Sequence, residues 1–334
     1  MNLKSIISKL SSFFSLQRLI DLTGVNLILP FYHTVSDVDL PHIKHLYPVL
    51  DTKRFREDLD FLLQRFKPIS SEELISLSKK KPLNSPHFFL SFDDGLSEAY
   101  HVIAPILKEK GVPATFFLNT DFIDNKGMFY RLKASLLIEK LEKQKPSKSL
   151  LKEIIQVLNK CNIRYENPTS LLKISYQSKG VLDELAQLLQ IDFDEYLKEK
   201  KPYLNSFEIN SLISQGFSIG SHSCSHPYYY SLSEAEQIEE TLHSLEFLQK
   251  NFTINEKLFS FPYTDFDVRK SFFEKIAGRV ELSFGTASLK KDSVKTNLQR
   301  IPMERKNSAE AILKEEYLLF YLKKIIGKHQ IIRE

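Results

Sequence analysis

The stretch "HFFLSFDDG" (residues 87–95) ends a nearly continuous apolar run on two adjacent carboxylates and a glycine. Such runs are typical of strands that are buried on both faces in an α/β fold. Neighbouring side chains on a strand point to opposite faces, so Asp93 and Asp94 can share a site only beyond the strand's end, where Gly95 permits a sharp turn. Two interpretations stay open: the acids lie in a solvated turn where one caps the next helix, or a cation holds them, since buried carboxylates repel each other.

Outward from this stretch, strand and helix patterns alternate, which is the signature of an α/β fold. The helix patterns include two capping pairs, Ser233 with Glu236 and Asn307 with Glu310, and the last helix is expected to stop at Gly327. The other predicted strands lie within residues 25–33, 111–119, 217–222, 257–263, 279–286 and 299–303. Enzymes of this class place their sites at the carboxyl ends of such strands.

Two segments depart from the alternation. Residues 131–200 are Lys/Glu-rich and carry only helical apolar stripes, so we interpret them as a helical insertion in a barrel formed by residues 25–130 and 201–334. Residues 1–24 are predicted to form an N-terminal amphipathic helix. Packing of this helix on the domain is one interpretation, and peripheral contact of residues 1–20 with a membrane surface is the other.

The composition excludes several classes of protein. A net charge of +4 over 334 residues gives no concentrated basic face, so binding to nucleic acid is not expected. Two cysteines are too few for a disulfide framework. No uncharged apolar run approaches the ~18 residues of a transmembrane span. Charges at Lys4, Lys9 and Arg18 interrupt any signal-peptide core, which predicts a cytoplasmic location, with the inner membrane face as a variant.

A second constellation is "HSCSH", with His222 and His226 four residues apart. Pro227 disfavours helical geometry at His226, so we place the first histidine at a strand end and the second in the loop beyond it. Zinc in catalytic sites prefers imidazole nitrogens and a carboxylate, with open positions for water. Histidines at this spacing also occur without a metal, and Cys224 is either a packed thiol or a soft ligand. Combined with the acid pair, the pattern predicts a metal site with one carboxylate left to act as a base.

Together, "FLSFDDG" (residues 89–95) and "HSCSH" (residues 222–226) resemble the first two motifs of the polysaccharide deacetylases, the NodB-homology group of carbohydrate esterase family 4. The resemblance implies a distorted (β/α) barrel and a divalent metal, Zn²⁺ in the first place and Co²⁺ or Ni²⁺ as alternatives. The residue roles that it implies are general base for Asp93 and metal ligand for Asp94, His222 and His226.

The third motif of this family resembles "FPYT" (residues 261–264), in which a Pro-Tyr segment lines the groove and a backbone N–H helps to hold the oxyanion. The resemblance thus implies substrate contacts for Pro262 and Tyr263. The family's motif often begins with an arginine that steadies the base, and Ser260 stands at that place here. Arg300 is expected either to replace that arginine from another strand, in the substrate-binding group, or to lie at the surface.

The family's late Leu-x-His motif, which supplies a general acid, has no match in this sequence. However, "FYHTV" (residues 31–35) resembles the early Tyr-His of the permuted branch that deacetylates exported poly-N-acetylglucosamine. This implies that His33 is the acid, with a buried structural histidine as the alternative. Tyr228 is expected to stack on a sugar ring or to pack under its loop. Asp265 and Asp267 are expected to be solvated loop acids, with contact to substrate hydroxyls as the alternative.

The predicted reaction is removal of an N-acetyl group from a sugar of a polysaccharide or glycan precursor, with Asp93 as base and His33 as acid. A lipid-linked or nucleotide-linked precursor would suit a cytoplasmic location. Two alternatives stay open: a catalytically degenerate member of the family that binds a glycan, and an O-acetyl esterase. The expected partner is an N-acetylated saccharide, and the sequence gives no prediction of the oligomeric state.

Overall fold

The computed structural model describes residues 3–78 and 83–334, so residues 1–2 of the predicted N-terminal helix and 79–82 of the predicted barrel lie outside the described residues. The α-helices are α1 (Leu3–Ser11), α2 (Leu16–Thr23), α3 (Thr52–Arg65), α4 (Ser71–Ser78), α5 (Ala104–Lys110), α6 (Tyr130–Lys143), α7 (Lys148–Asn159), α8 (Val181–Leu189), α9 (Phe193–Lys200), α10 (Ser206–Ser214), α11 (Glu234–Asn251), α12 (Lys270–Ile276) and α13 (Ala309–Ile325). The strands are β1 (Leu27–Ile28), β2 (Pro30–Tyr32), β3 (Lys67–Pro68), β4 (His87–Phe88), β5 (Leu90–Phe92), β6 (Ala114–Leu118), β7 (Ser218–Ser221), β8 (Leu258–Ser260), β9 (Leu282–Gly285), β10 (Lys291–Asp292), β11 (Asn297–Gln299), β12 (Ile301–Pro302) and β13 (Gln330–Ile331).

The central element is a parallel sheet that curls into a nearly closed barrel. Its strand order is β11-β9-β8-β7-β6-β5-β2-β12, and the two end strands belong to one chain segment, residues 297–302. Within this segment the Arg300 N–H donates to the Gly285 carbonyl at 3.0 Å, and the Ile301 N–H donates to the Leu29 carbonyl at 2.8 Å. The segment therefore changes neighbours between consecutive residues and closes the barrel. This confirms the predicted distorted (β/α) barrel.

The apolar run before the two acids was expected to form one strand, but the structure divides it into β4 and β5. The strand β4 pairs with β1 and β3 in a three-stranded sheet, whereas β5 pairs with β2 and β6 in the barrel. The chain runs directly from β4 into β5, but the two strands have different neighbours on one side. There β4 pairs with β3, whereas β5 pairs with β6. The strands consequently divide into two sheets toward the amino end of the barrel.

Burial on both faces explains why this run is almost entirely apolar. Phe89 lies in one buried cluster with Phe117 and Phe284, and its ring stacks on that of Phe284 at a centroid distance of 5.4 Å. Phe88 and Phe92, which alternate with Phe89, belong to the larger cluster that packs under the surrounding helices. Because successive side chains point to opposite faces, the first set fills the barrel and the second set faces the helices. Each buried phenylalanine contributes roughly 1.5–3 kcal/mol to folding.

Residues 130–200 form the helices α6 to α9 and a short 3-10 helix at Pro168–Lys173, between β6 and α10. They have a hydrophobic cluster of their own, in which Leu137, Leu158 and Leu182 are completely buried. The same cluster includes Leu40 and Ile43, which follow β2 at the carboxyl edge of the barrel. The helical segment therefore packs against the edge of the barrel where the strands end. The exact limits of the domains stay a prediction from the sequence.

The N-terminal region forms two helices instead of the single one that we expected. Ser15 interrupts the helix and caps α2, because its hydroxyl accepts a hydrogen bond from the Arg18 N–H at 3.3 Å. Ile7 and Leu19 are buried, and both α1 and α2 pack against α13. Phe13, between the two helices, is 83% exposed. None of the helices in the described ranges combines the length and the apolar character needed to cross a membrane.

The helix starts support one capping prediction and correct another. At α11, Ser233 and Glu236 form the expected reciprocal pair: the Ser233 N–H donates to the Glu236 carboxylate at 2.7 Å, and the Glu236 N–H donates back to the Ser233 hydroxyl. At α13 the capping residue is Ser308, whose hydroxyl accepts from the Ala311 N–H at 3.3 Å, so the prediction of Asn307 was wrong by one residue. Gly327, with φ of +71°, follows the end of α13 as expected.

A close approach inside the barrel gives a test of this packing. A Cβ at Gly220 would lie 2.5 Å from Cε1 of the Phe117 ring and 3.1 Å from the Leu258 carbonyl oxygen. We expect Gly220→Ala to lower the free energy of unfolding by about 1–3 kcal/mol, because the ring and the backbone cannot both move away. A urea titration followed by circular dichroism measures this change.

The matched control is Gly180→Ala, at the start of α8. Among the described residues, no atom outside its own helix and its chain neighbours lies within 4 Å of a Cβ placed there, and its φ of −59° suits alanine. This variant should be as stable as the parent or slightly more so. Equal stability of the Gly220→Ala variant and the parent would contradict the packing described here.

Candidate active site

Polar side chains from neighbouring strand ends meet at the carboxyl edge of the barrel. Asp94 follows β5, and His222 and His226 follow β7; all three side chains are buried. Asp94 Oδ1 lies 3.1 Å from His226 Nε2 and 3.5 Å from His222 Nε2. A ligand atom from each of the three lies within 4.8 Å of the others. The structure thus brings together the three residues that the sequence pattern proposed as one metal site.

The backbone of the "DDG" turn explains how two adjacent acids reach one cavity. The Asp93 N–H still donates to the Tyr32 carbonyl at 3.0 Å, so Asp93 continues the inward-facing series of the strand. Asp94 has a φ of +73° and Gly95 a φ of +65°. This left-handed turn breaks the alternation that would otherwise point Asp94 away, and both acids line the same cavity. A left-handed non-glycine residue costs of order 1–3 kcal/mol, and such costs concentrate at functional sites.

The loop that carries the histidines is strained in the same way and is held by a glutamate from α11. Ser223 and His226 have φ values of +69° and +60°. Glu240 accepts hydrogen bonds from the Cys224 N–H at 2.9 Å and from the Ser225 N–H at 3.0 Å. No local pattern in the sequence indicates Glu240, since nothing distinguishes it from the other glutamates of its helix.

The donor set fits a divalent metal ion. His222 Nδ1 lies 2.8 Å from the Ser260 carbonyl, which can only accept, so Nδ1 carries the proton and Nε2 presents a lone pair toward Asp94. Burial lowers the pKa of His226, which keeps its imidazole neutral, the form that ligates metals. Within the described residues, the buried Asp94 Oδ1 accepts no hydrogen bond. Lone pairs facing one another in a buried space are costly unless a cation lies among them.

A second group of potential ligands does not have this character. His45, Glu139 and Glu142 also have ligand atoms within 4.8 Å of one another. However, Lys44 and Lys143 already bind Glu139 at 2.7 Å and 2.9 Å, and Glu142 is exposed. The carboxylate charge is thus balanced by ammonium groups, and we do not consider this group a metal site.

The charge of Asp93 is balanced by a buried arginine. The guanidinium of Arg300 donates to both carboxylate oxygens of Asp93, at 2.8 Å and 2.7 Å, and also to the hydroxyls of Ser91 and Ser260. Burial opposes the negative charge of Asp93, but Arg300 outweighs it and holds the pKa of Asp93 below its usual value. Arg300 is completely buried and does not line the cavity, so it acts on the site through Asp93 and does not touch a substrate.

His33, after β2, lines the same cavity and is paired with a carboxylate that the sequence analysis missed. His33 Nδ1 lies 2.5 Å from Glu304 Oε2, and the backbone N–H groups of His33 and Thr34 donate to Glu304 Oε1 at 2.8 Å and 3.0 Å. Burial opposes protonation of His33, but the Glu304 charge outweighs it and raises the pKa of His33 to about 9. Glu304 lies 271 residues from His33 in the chain, so no local pattern indicates the pair.

An aromatic wall completes the cavity, whose volume is about 380 Å³. The rings of Tyr228 and Tyr263 stack face to face at a centroid distance of 3.7 Å, and Tyr263 lies 4.6 Å from the ring of His226. Within the described part of the chain, the Tyr263 N–H makes no backbone hydrogen bond, in keeping with its proposed role as a donor. Pro262 is buried and does not line the cavity, so it shapes the turn at Tyr263 and has no exposed surface there.

The structure corrects the expectation for Asp265 and favours one of the two interpretations of Cys224. Asp265 is buried and binds Arg333 and the side-chain amides of Asn297 and Gln299, so it is neither a solvated acid nor a substrate contact. The thiol of Cys224 lies 3.6 Å from the Glu240 carbonyl oxygen and is not among the grouped ligand atoms. This agrees with a packed thiol.

Comparisons with known proteins identify the family. The sequence model of the polysaccharide deacetylase family matches residues 80–165 and 194–279, just over half of the chain. The chain belongs to the polysaccharide deacetylase family. This confirms the resemblance that its first two motifs indicated. No curated protein matches the sequence.

Two solved structures share the fold. A Streptococcus pyogenes deacetylase, PplD, in complex with acetate, is 16% identical, with a TM-score of 0.56 over 87% of this chain and 98% of that chain. IcaB from Ammonifex degensii is 14% identical, with a TM-score of 0.53 over 87% of this chain and 97% of that chain. At these identities the similarity shows the fold alone. Membership in the family supports carbohydrate deacetylation as the activity of this hydrolase.

The His33–Glu304 pair gives a prediction that needs no substrate. In the metal-free protein, Glu304→Gln should lower the pKa of His33 from about 9 toward the ordinary 6.5, because the carboxylate charge is removed. Nuclear magnetic resonance of ¹⁵N-labelled histidine follows this titration. Because the pKa is raised in the folded protein, the pair stabilises it fully below pH ~6.5, and this contribution is lost as the pH rises through about 9.

The control is Glu316→Gln, which removes another buried carboxylate, one bound to Arg305 and Ser288. The titration of His33 should not change in this variant. An unaltered His33 titration in the Glu304→Gln variant would show that Glu304 does not set the charge of His33.

Proposed function

We propose that the chain removes N-acetyl groups from a sugar of a polysaccharide or a glycan precursor, with Asp93 as general base and His33 as general acid. One observation carries this proposal: a single cavity is lined by a carboxylate held ionised by arginine, by a histidine held protonated by glutamate, and by Asp94 and His226, whose ligand atoms lie within 4.8 Å of that of the buried His222. Acyl transfer from nitrogen needs these three functions together, since water must be activated and the amine must be protonated as it leaves.

Asp94, His222 and His226 would hold a divalent ion, which we propose to be Zn²⁺, with Co²⁺ or Ni²⁺ as alternatives. Such an ion would polarise the acetyl carbonyl and lower the pKa of a water molecule at the site. The Nδ1–H of His222, fixed by the Ser260 carbonyl, keeps Nε2 aimed at the ion. The lowered pKa of His226 would keep its imidazole neutral, the form that binds a metal ion.

Asp93 accepts the proton of the attacking water in this scheme. Arg300 occupies one lone pair on each carboxylate oxygen, and the Ser260 hydroxyl donates to Oδ2 at 3.4 Å, so a lone pair of Oδ1 remains for the water. The same arginine keeps Asp93 ionised in the resting enzyme, as a base must be. Because Arg300 is fixed by Ser91 and Ser260, the carboxylate is also fixed in orientation.

His33 protonates the departing amine from Nε2, because Nδ1 is committed to Glu304. A raised pKa ensures that the proton is present at neutral pH. The stacking of His33 on Tyr47, at a centroid distance of 4.5 Å, holds the ring in place. The developing oxyanion accepts a hydrogen bond from the Tyr263 N–H, and Tyr228 offers a stacking face for the sugar.

Substitution of the base separates chemistry from metal binding. We expect Asp93→Asn to lower kcat by about 10²–10⁴-fold, since proton transfer by a positioned side chain contributes that much. Its zinc content, by elemental analysis, should equal that of the parent. Asp94→Asn, the control, should lose the metal as well as the activity. The measurement is acetate release from a panel of N-acetylated saccharides.

The alternative functions give different results in the same assay. A degenerate family member would bind metal and saccharides but release no acetate. An O-acetyl esterase would act on O-acetylated sugars and tolerate His33→Ala, because an alcohol leaves with less help from an acid. We expect His33→Ala to impair amide cleavage by about 10²–10⁴-fold and ester cleavage much less. Equal losses on both substrates would exclude His33 as the acid that protonates the amine.

We also propose that the region around α1 contacts an anionic membrane surface. Phe13 is 83% exposed beside the partly exposed Leu10, and the neighbouring Lys9 and Arg18 supply positive charge. Phe13→Asp should reduce cosedimentation with vesicles that contain anionic lipid, whereas Phe207→Asp, at another exposed aromatic position, should not. Absence of binding by the parent protein would refute the contact. A cytoplasmic location stays a prediction from the sequence.

A further inference from the structure

The charges of the catalytic groups are balanced in pairs, and Arg131 is the exception at the cavity. Asp93 is paired with Arg300 and His33 with Glu304, and Asp94, which faces the neutral imidazoles of His222 and His226, would be balanced by the divalent ion. Arg131 also lines the cavity, yet within the described residues no carboxylate oxygen lies within 4.0 Å of its guanidinium nitrogens. A half-buried arginine without an acid is an uncompensated positive charge, and a bound divalent ion would add to it.

The guanidinium of Arg131 is held in position without being saturated. One of its NH groups donates to the Leu172 carbonyl, and its carbon lies 4.9 Å from the centroid of the Tyr130 ring. An arginine has five N–H donors; the Leu172 carbonyl and the hydroxyls of Tyr130 and Tyr263 accept from some of them, and the others remain available to a ligand. Its planar fork binds phosphate or carboxylate through two parallel hydrogen bonds. Its helix, α6, has no acidic residue in its first turn, so the positive end of the helix is not offset there.

The position of Arg131 relative to the metal ligands is fixed by a chain of aromatic contacts. The Tyr130 and Tyr263 hydroxyls lie 3.3 Å apart, and the ring of Tyr263 lies 4.6 Å from that of His226. Phe129, next in the chain, contacts His226 directly at a centroid distance of 4.2 Å. Arg131 therefore lines the same cavity as Phe129 and Tyr263, the two residues that contact the ring of His226.

We propose that Arg131 forms an anion subsite, and that the substrate is an N-acetylated sugar with a phosphate or carboxylate on the reacting residue or on its neighbour. This inference rests on the proposed function and names the substrate class of the same site. The shared chemistry is an oxyanion that accepts two hydrogen bonds from the guanidinium. A neutral homopolymer lacks such a group and leaves the charge of Arg131 unpaired when it displaces water from the cavity.

The test compares acetate release from three kinds of N-acetylated saccharide: neutral oligomers, sugars that carry a phosphate, and sugars linked to a uronic acid. The parent protein should show kcat/KM at least about 10-fold higher for one anionic kind than for the neutral oligomers, since a charge-assisted hydrogen bond has that magnitude. The two anionic kinds distinguish phosphate from carboxylate as the source. The preference should shrink as the salt concentration rises.

Arg131→Gln should lower kcat/KM about 10–100-fold for the preferred anionic substrate and less than about 3-fold for the neutral oligomers. Arg131→Lys should restore part of the preference, because it keeps the charge but loses the fork. The matched control is Lys133→Gln, on the same helix, which removes a cation that binds Asp183 and does not line the cavity. A merely structural role of Arg131 would change all substrates equally.

Equal losses on neutral and anionic substrates, or no preference in the parent protein, would overturn the anion subsite while leaving deacetylation intact. If the parent released no acetate from any saccharide, the proposed function would fail, and calorimetric binding of the same saccharides would still decide the subsite. Tighter binding of the anionic saccharides that is lost in Arg131→Gln supports the subsite. Equal affinities in the two proteins refute it.

Discussion

The ion pair between Arg300 and Asp93 is the interaction on which the site depends. Arg300 lies where residues 297–302 leave β9 and join β2, so its backbone closes the barrel while its side chain reaches the barrel mouth. A completely buried guanidinium without a carboxylate would destabilise the protein by about 3–5 kcal/mol, and so would the reverse. Closure of the barrel, which places Arg300, and the negative charge of Asp93 therefore stabilise each other. The aromatic faces of Phe31 and Phe117, at 4.3 Å and 5.4 Å, stabilise the same cation.

Separation of counter-charges resolves the repulsion between the adjacent acids. Arg300 balances the charge of Asp93, whereas Asp94 faces the neutral imidazoles of His222 and His226 and would be balanced by the divalent ion proposed there, although both carboxylates enter one cavity. The left-handed turn at Asp94 is the cost of this arrangement, because it must redirect a side chain that a strand would point away. The two acids consequently have different surroundings and can be assigned different chemistry.

Local patterns in the sequence predicted the alternation of strands and helices, the buried strand before the acids and the capping box at Ser233. They failed where a contact depends on residues far apart in the chain. The division of residues 87–92 into two strands depends on pairing with β3, and Glu304 reaches His33 across 271 residues. Asp265 looked like a solvated acid because nothing nearby in sequence indicates its partner Arg333, 68 residues away. Spacing and propensity carry no information on such partners.

The cavity has walls from two parts of the chain: one carries the groups proposed for chemistry, and the other can select the substrate. The groups proposed for chemistry follow strands of the barrel, and the hydrogen bonds of the closed sheet fix the positions of those strand ends. By contrast, Phe129, Arg131 and Leu172 come from the helical segment and its approach. That segment packs on Leu40 and Ile43 beside the barrel, and this contact positions its wall relative to Asp94, His222 and His226. A change at Arg131 can therefore alter which sugar enters while leaving the proton transfers intact, because among the described residues no hydrogen bond joins Arg131 directly to Asp93, His33 or Asp94.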